Sequence, residues 1–304
     1  MKLRSFLKFF IAALPFITVF VIVAAVIFYP KEHEKENAEK RIVRIWNVDT
    51  FEGGKGSRTA FLRNVARRVE KEREGVYFLI SSYTAEGAEA AFSKGEAPDM
   101  LSFGVGLSTF AEKSLPLPYS FAGGDLEGKT LAYPWCRGGY SLFSLDERFD
   151  QEGRVAISVG GSNLPEVAAR YAKIFGEEVE STAAYVGFLS GKYRYLLGTQ
   201  RDICRFQTRG ASVYEKKLSA YNDLYQYLSL LSNENREDCL AFFEVLLSEK
   251  VQSSLFEIGM FPVEGDESER TVNVFSDKNA LENIRILAKQ EVDEKNLDNF
   301  LKTI

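Results

Sequence analysis

The chain has 304 residues, 45% of them hydrophobic and 27% charged, which suits a globular protein of one large or two modest domains. A net charge of −5 provides no general basic footprint and argues against nucleic acid as a partner. The single histidine, His33, sits in a charged segment, which excludes Ser-His-Asp or Cys-His nucleophile systems and histidine-ligated zinc from the folded part.

Residues 1–8 form a short basic N-terminus with Lys2, Arg4 and Lys8. Residues 9–29, "FFIAALPFITVFVIVAAVIFY", carry no charge. About twenty such residues at about 1.5 Å rise span a hydrocarbon core of about 30 Å. The preceding positive charges orient the N-terminus to the cytoplasm and everything after Pro30 outward. A cleaved signal peptide is the rival reading, although its apolar region is usually shorter. Residues 30–40, "PKEHEKENAEK", read as a solvated tether.

After the tether, strands and helices alternate. "RIVRIWNV" (41–48) predicts a strand, and residues 58–72 place Phe61, Leu62, Val65, Ala66 and Val69 on one helical face with Ser57 as N-cap. "GVYFLISSY" (75–83) predicts the next strand, and Thr84 caps a short helix that Gly95 ends. "PDMLSFG" (98–104) is a third strand. This β-α-β-α-β order implies a parallel sheet with helices on its faces. Ligands of such sheets gather at the carboxyl ends of the strands. Three segments lie there: 49–58, Ser82–Thr84 and Phe103–Ser108.

Residues 105–128 break the alternation with Pro116, Pro118, Gly123, Gly124 and Gly128. "KTLAYPW" and "GGYSLFSLD" (129–146) look extended, and "RVAISVGG" (154–161) predicts a strand. Ser162 or Asn163 caps "LPEVAARYAKIFG", which has Pro165 in its first turn and Gly176 at its end. A helix "STAAYVGFLSG" and a strand "KYRYLLG" follow, and from residue 233 the pattern turns helical.

The stretch "DTFEGGKGSR" (49–58) invites comparison with phosphate-binding loops, but it lacks the G-x-x-x-x-G-K-[ST] order and the G-x-G-x-x-G spacing. What remains is a helix N-terminus flanked by Lys55 and Arg58, able to receive a carboxylate, a phosphate or a hydroxyl, or else a plain glycine turn. Cys136, Cys204 and Cys239 show no C-x-x-C spacing, and as an odd number they leave at least one thiol unpaired within the chain. Acid pairs such as Asp49 with Glu52, or Asp146 with Glu147, could serve a glycosidase only if held about 5–10 Å apart across a bond. No calcium-loop spacing occurs, so no metal site, no cofactor and no catalytic set is assigned.

Several segments, taken in order, resemble the extracellular solute-binding proteins of ABC importers, in the class that includes sugar binders. "RIVRIWNVDTFEGGKGSRTAFLRNVARRVEKEREGVYFLISSY" looks like the opening strand–helix–strand, and "GEAPDMLSFGVG" like the third strand of the first lobe. "LAYPWCRGGYSLFS" is similar to the crossing into the second lobe, and "TAAYVGFLSGKYRYLLGTQRD" to that lobe's helix and strand. "CLAFFEVLLSEKVQSSLFEIGMFPV" resembles the late helix and its G-x-x-P-V ending. The family's lipidated cysteine is missing, and the chain is shorter than most members.

The resemblance implies an α/β fold of two lobes with a hinge and a ligand cleft, and the apolar run 9–29 places one transmembrane helix before it. It assigns 41–128 to lobe 1, 129–210 to lobe 2, and 211–304 to a mostly helical return. It implies a monomeric, non-enzymatic binder of a small solute, with carbohydrate the favoured class, that delivers to the transmembrane subunits of a permease. A ligand-sensing or adaptor role is the alternative, and an extracellular glycosidase a more distant one. The residues expected to face the solute are Trp46, Asn47, Asp49, Glu52, Lys55 and Arg58 around the first loop, with Tyr83 and Phe103 at the next two strand ends. Tyr133 and Trp135 in the crossing segment, Gln200 and Arg201 after the second lobe's strand, and Tyr221 and Asp223 near the hinge complete the set. Each tryptophan faces either the cleft or the core, and Arg201 either grips a solute or ties the lobe with an aspartate.

Overall fold

The computed structural model describes residues 18–20, 40–107, 114–161, 163–264, 270–290 and 294–303. Two units separate, Met1–Glu39 and Lys40–Ile304. The expected membrane span over 9–29 and the tether lie outside the described residues, except for a helical turn at 18–20 and Lys40. Among the described residues no helix is long and apolar enough to cross a membrane.

Strand β1 (Arg41–Val48) buries Val43, Ile45, Trp46, Asn47 and Val48 because it is a central strand, covered on both faces. It pairs in parallel with β2 (Val76–Tyr83) on one side and β3 (Met100–Phe103) on the other. Helix α1 (Arg58–Glu72) crosses between β1 and β2, with Ser57 Oγ accepting from the Ala60 amide at 3.2 Å. Helix α2 (Ala85–Ser93) crosses between β2 and β3, capped by Thr84 Oγ1 at 3.1 Å. Both caps are those the sequence predicts.

After a minor hairpin, β4 (Asp125–Leu126) and β5 (Lys129–Thr130), strand β6 (Ala132–Arg137) completes the first sheet. The second sheet contains β7 (Tyr140–Ser144), β8 (Val155–Val159), β9 (Glu177–Glu180), β10 (Tyr195–Thr199) and β11 (Tyr214–Lys217). Helix α3 (Pro165–Tyr171) follows β8, α4 (Ser181–Leu189) follows β9 and α5 (Gln200–Arg209) follows β10. Strand β12 (Tyr225–Leu230) then returns to the first sheet, antiparallel to both β3 and β6. The orders are β2-β1-β3-β12-β6 and β11-β7-β10-β8-β9.

The sheets therefore divide the chain later than expected. Strand β6 belongs to the first sheet although 129–137 was assigned to lobe 2, because it pairs with β12, a strand far along the chain. Strand β11 belongs to the second sheet, since it pairs with β7. The crossings are Gly138–Gly139 outward and Leu218–Leu224 back. They are bonded to each other: the Gly138 amide donates to the Leu224 carbonyl at 2.6 Å, and the Leu218 amide to the Tyr140 carbonyl at 3.0 Å.

Helix α3 is shorter than the run to Gly176 suggests, because Lys173 takes a positive φ of 56° and β9 begins at Glu177. Its N-cap is Leu164 and not the expected Asn163, and the alternative cap, Ser162, lies outside the described residues. Helices α6 (Arg236–Leu247), α7 (Glu249–Gln252) and a 3-10 turn at Ser253–Ile258 follow β12, and α6 packs on α1. Helix α8 (Lys278–Lys289) packs on α3, its Lys289 pairs with Glu178 of β9 at 2.9 Å, and α9 (Glu294–Leu301) follows it. A second, smaller core around Phe143, Tyr185, Phe188 and Phe206 supports the second sheet.

Candidate functional site

Strands β1, β2 and β3 are parallel, so their carboxyl ends meet at one edge. They deliver Asp49 and Thr50, Tyr83 and Thr84, and Val105 to Leu107. The turn after β8 faces them through Gly161, whose φ of +65° suits glycine. Helix α8 closes one side with Lys278, Leu281, Glu282 and Arg285. The cleft encloses ≈ 680 Å³, ample for a small solute.

Much of the charge in this cleft is already committed. Asp49 pairs with Arg58 at 2.9 Å, and Glu282 with Arg285 at 2.7 Å. Arg285 also lies 3.6 Å from Glu166, whose carboxyl burial pushes above the usual range. Tyr83 is the one aromatic among the described lining residues, and its ring rests on Trp46 at 4.5 Å between centroids.

Beside the cleft, the loop after β1 reaches the second lobe. Glu52 forms an ion pair with Arg201 in the first turn of α5, and its carbonyl accepts from Gln200 Nε2 at 2.9 Å. Gln200 Oε1 in turn accepts from the Gly139 amide at 3.1 Å, so one side chain joins loop, helix and crossing. Arg201 also reaches Ser158 Oγ at 3.3 Å. Burial lowers the pKa of Arg201 and raises that of its neighbour Asp202, while their mutual attraction opposes both shifts.

The structure thus brings Asp49 and Tyr83 to the cleft, and Glu52, Gln200 and Arg201 to the adjoining seam. It sends the others elsewhere. Trp46 is 5% exposed and lies behind Tyr83 and Phe92. Trp135 is fully buried, stacked on Phe61 with its indole N–H donating to Ser102 Oγ at 3.1 Å. Phe103 is equally buried, packed near Phe275. Tyr133 lies on the edge strand β6 among Tyr119 and Phe121. Tyr221 is buried between Tyr140 and Tyr171. These aromatics meet long-range partners that no local pattern reveals.

Asn47 and Arg58 form a buried polar cluster rather than a solute contact. Asn47 Nδ2 donates to Asp49 at 2.9 Å and Thr59 at 3.0 Å. Arg58 donates to Gln226 Oε1 at 3.2 Å and to the Phe51 carbonyl, and lies over the Phe51 ring. Gln226, a residue the sequence reading passed over, ties Val48 and Ser102 together from β12. Lys55 is exposed on the far side of the loop, where its amide donates to the Ile258 carbonyl at 2.9 Å. Gly54 packs there so closely that a Cβ would sit 2.3 Å from the Gly259 carbonyl oxygen. Gly54 and Gly56 therefore serve packing and turn geometry, and the part of the loop that lines the cleft is Asp49 and Thr50.

Asp223 sits in the returning crossing. Its carboxylate accepts from Tyr140 Oη at 2.7 Å and from the Leu164 amide at 2.8 Å, which caps α3 from a distant point of the chain. Burial raises its pKa to about 6. Helix α8 also escaped the sequence reading as a cleft wall, although Lys278, Glu282 and Arg285 at i, i+4 and i+7 trace a polar stripe. Of the acids considered as glycosidase pairs, three are engaged by arginines: Asp49 by Arg58, Glu52 by Arg201 and Asp146 by Arg194 at 2.5 Å. Among the described residues no group of three or more histidine, cysteine or acidic residues could hold a metal ion. The three cysteines are buried and unpaired.

No family model and no curated protein sequence matches the chain. Solved structures do. The sugar-binding protein MalE from Xanthomonas citri matches with a TM-score of 0.61 at 12% identity, over 87% of this chain and 96% of that one. The chain has the fold of the periplasmic solute-binding proteins of ABC importers. Iron-bound HitA from Pseudomonas aeruginosa shares this solute-binding fold with a TM-score of 0.57 at 13% identity, over 82% of this chain and all of that one. The Trichodesmium protein IdiA (FutA), in complex with iron and citrate, shares it with a TM-score of 0.55 at 12% identity, over 86% and 99% of the two chains.

Proposed function

We propose that the chain captures a small hydroxylated solute in the cleft between its lobes and hands it to the transmembrane subunits of an ABC permease. The observation that carries this reading is the ≈ 680 Å³ cleft at the carboxyl ends of β1, β2 and β3, opposed by the second lobe at Gly161. Two bonded crossing segments join the lobes, the arrangement in which hinge closure buries a ligand. The Tyr83 ring, the Thr84 hydroxyl and the Asp49 carboxylate offer a stacking face and hydrogen-bonding groups of the kind a carbohydrate uses. The apolar run 9–29 holds the binder at the outer face of the membrane.

A thermal-shift screen of the full chain in detergent tests this, with monosaccharides, oligosaccharides, amino acids and polyamines. A ligand at about a hundred times its Kd raises Tm by roughly 5–10 °C in a domain of this size. A flat response to every solute overturns the reading.

A further inference from the structure

Glu52 and Arg201 are unequal partners. The Arg201 side chain is 10% exposed and Glu52 55%, so one half of the pair is built into the second lobe and the other hangs from a loop of the first. Arg201 as a residue is 9% exposed, and its buried Nε has no hydrogen-bond partner among the described residues. Ser158 Oγ lies 3.3 Å from the same guanidinium. The pocket that Arg201 and Ser158 line is narrow, with ≈ 10 Å³ of space, about the room one water needs.

The local charges leave a vacancy once Glu52 is discounted. Arg201 and Arg205 lie 3.7 and 3.4 Å from one buried acid, Asp202. Two cations thus share one fixed anion, and an additional carboxylate completes the set. The loop can withdraw the Glu52 side chain without moving far, because its backbone is held independently through the Glu52 carbonyl and Gln200. The main cleft begins next door, since Thr50 and Gly161 line it while Glu52 and Gly160 line the pocket.

We infer that the Arg201 pocket is a carboxylate subsite, that Glu52 occupies it as a stand-in from the chain itself, and that the solute is a hydroxylated carboxylic acid of the sugar-acid class. The inference rests on the cleft being a solute site. The solute carboxylate takes the fork of Arg201, whose planar donors match a carboxylate in two bonds. The hydroxylated body lies toward Asp49 and Tyr83. Glu52 is a competitor of the solute and not one of its ligands.

Titration calorimetry on the full chain in detergent tests this with D-glucuronate, D-galacturonate and D-gluconate against D-glucose and D-galactose. At least one acid binds and the neutral sugars bind more weakly. The Glu52→Gln variant, freed of the competing anion, binds that acid about threefold or more tighter. Arg201→Gln loses about thirtyfold or more, as removal of one partner of a buried charge pair does. Arg201→Lys, which keeps the charge and guards against misfolding, retains part of the affinity. Weaker binding of the acid by Glu52→Gln overturns the inference, because it makes Glu52 a ligand. Equal binding of neutral and acidic sugars, or binding of neutral solutes alone, also overturns it while leaving the proposed function standing. Failure of every solute, neutral and acidic, overturns both.

Discussion

Tyr140, the first residue of the second lobe's β7, donates a 2.7 Å hydrogen bond to Asp223 in the crossing that returns to the first lobe. The same carboxylate caps α3 through Leu164, so one buried acid ties the returning crossing to a strand and a helix of the second lobe. Its pKa rises from 3.8 to about 6 because burial penalises the charge, while the Tyr140 and Leu164 bonds pull the other way. The folded state therefore holds this proton more tightly than the unfolded chain. The resulting stability is fully present below pH 3.8 and is lost as pH rises through about 6. It amounts to about 3 kcal/mol at most. Asp223→Asn flattens this fall, and Tm measured from pH 4 to 7 drops less in the variant than in the parent.

Trp135→Ala destabilises the chain by about 3–5 kcal/mol, because it empties a fully buried site against Phe61 and removes the indole bond to Ser102 Oγ. Urea unfolding measures it. Solute affinity of the folded variant stays within about twofold of the parent, since Trp135 does not line the cleft.

Gly138→Ala places a Cβ 2.3 Å from Gln200 Oε1. The glutamine must move, breaking its bonds to the Gly139 amide and the Glu52 carbonyl. The expected cost is about 1–3 kcal/mol. Small-angle scattering then reports a larger radius of gyration, as the lobes lose a link across the seam.

Tyr83→Ala removes the cleft's aromatic face while leaving its strand in place. Affinity for the cleft solute falls about tenfold, the scale of one aromatic contact. An unchanged dissociation constant shows that the solute lies elsewhere.

The first sheet's order was half legible. Strands β1, β2 and β3 with their intervening helices follow from hydrophobic runs, capping by Ser57 and Thr84, and the short spacing of a βαβ unit. Strands β6 and β12 do not, because each is defined by a partner distant in the chain. Strand β9, "EEVE", is invisible for a related reason: its residues are mostly exposed, and only pairing with β8 makes it a strand. For the site, the polar residues expected at strand ends do reach the cleft at Asp49 and the adjoining seam at Glu52, Gln200 and Arg201. Of the aromatics, Tyr83 lines the cleft while Trp46, Phe103, Trp135 and Tyr221 are buried, because a ring that suits a sugar face suits a protein core equally well.

What the sequence determined by itself is the set of local decisions: the apolar stretch at 9–29, the alternation of strands and helices, the caps, and the loop of glycines after β1. These depend on periodicity and on side chains bonding within a few residues. Tertiary structure alone decided that Trp135 is core, that Asp223 caps a helix remote in the chain, and that Glu52 meets Arg201 across 149 positions. Those outcomes are set by which surfaces the two crossings bring together, and that geometry is a property of the folded whole and not of any short run of residues.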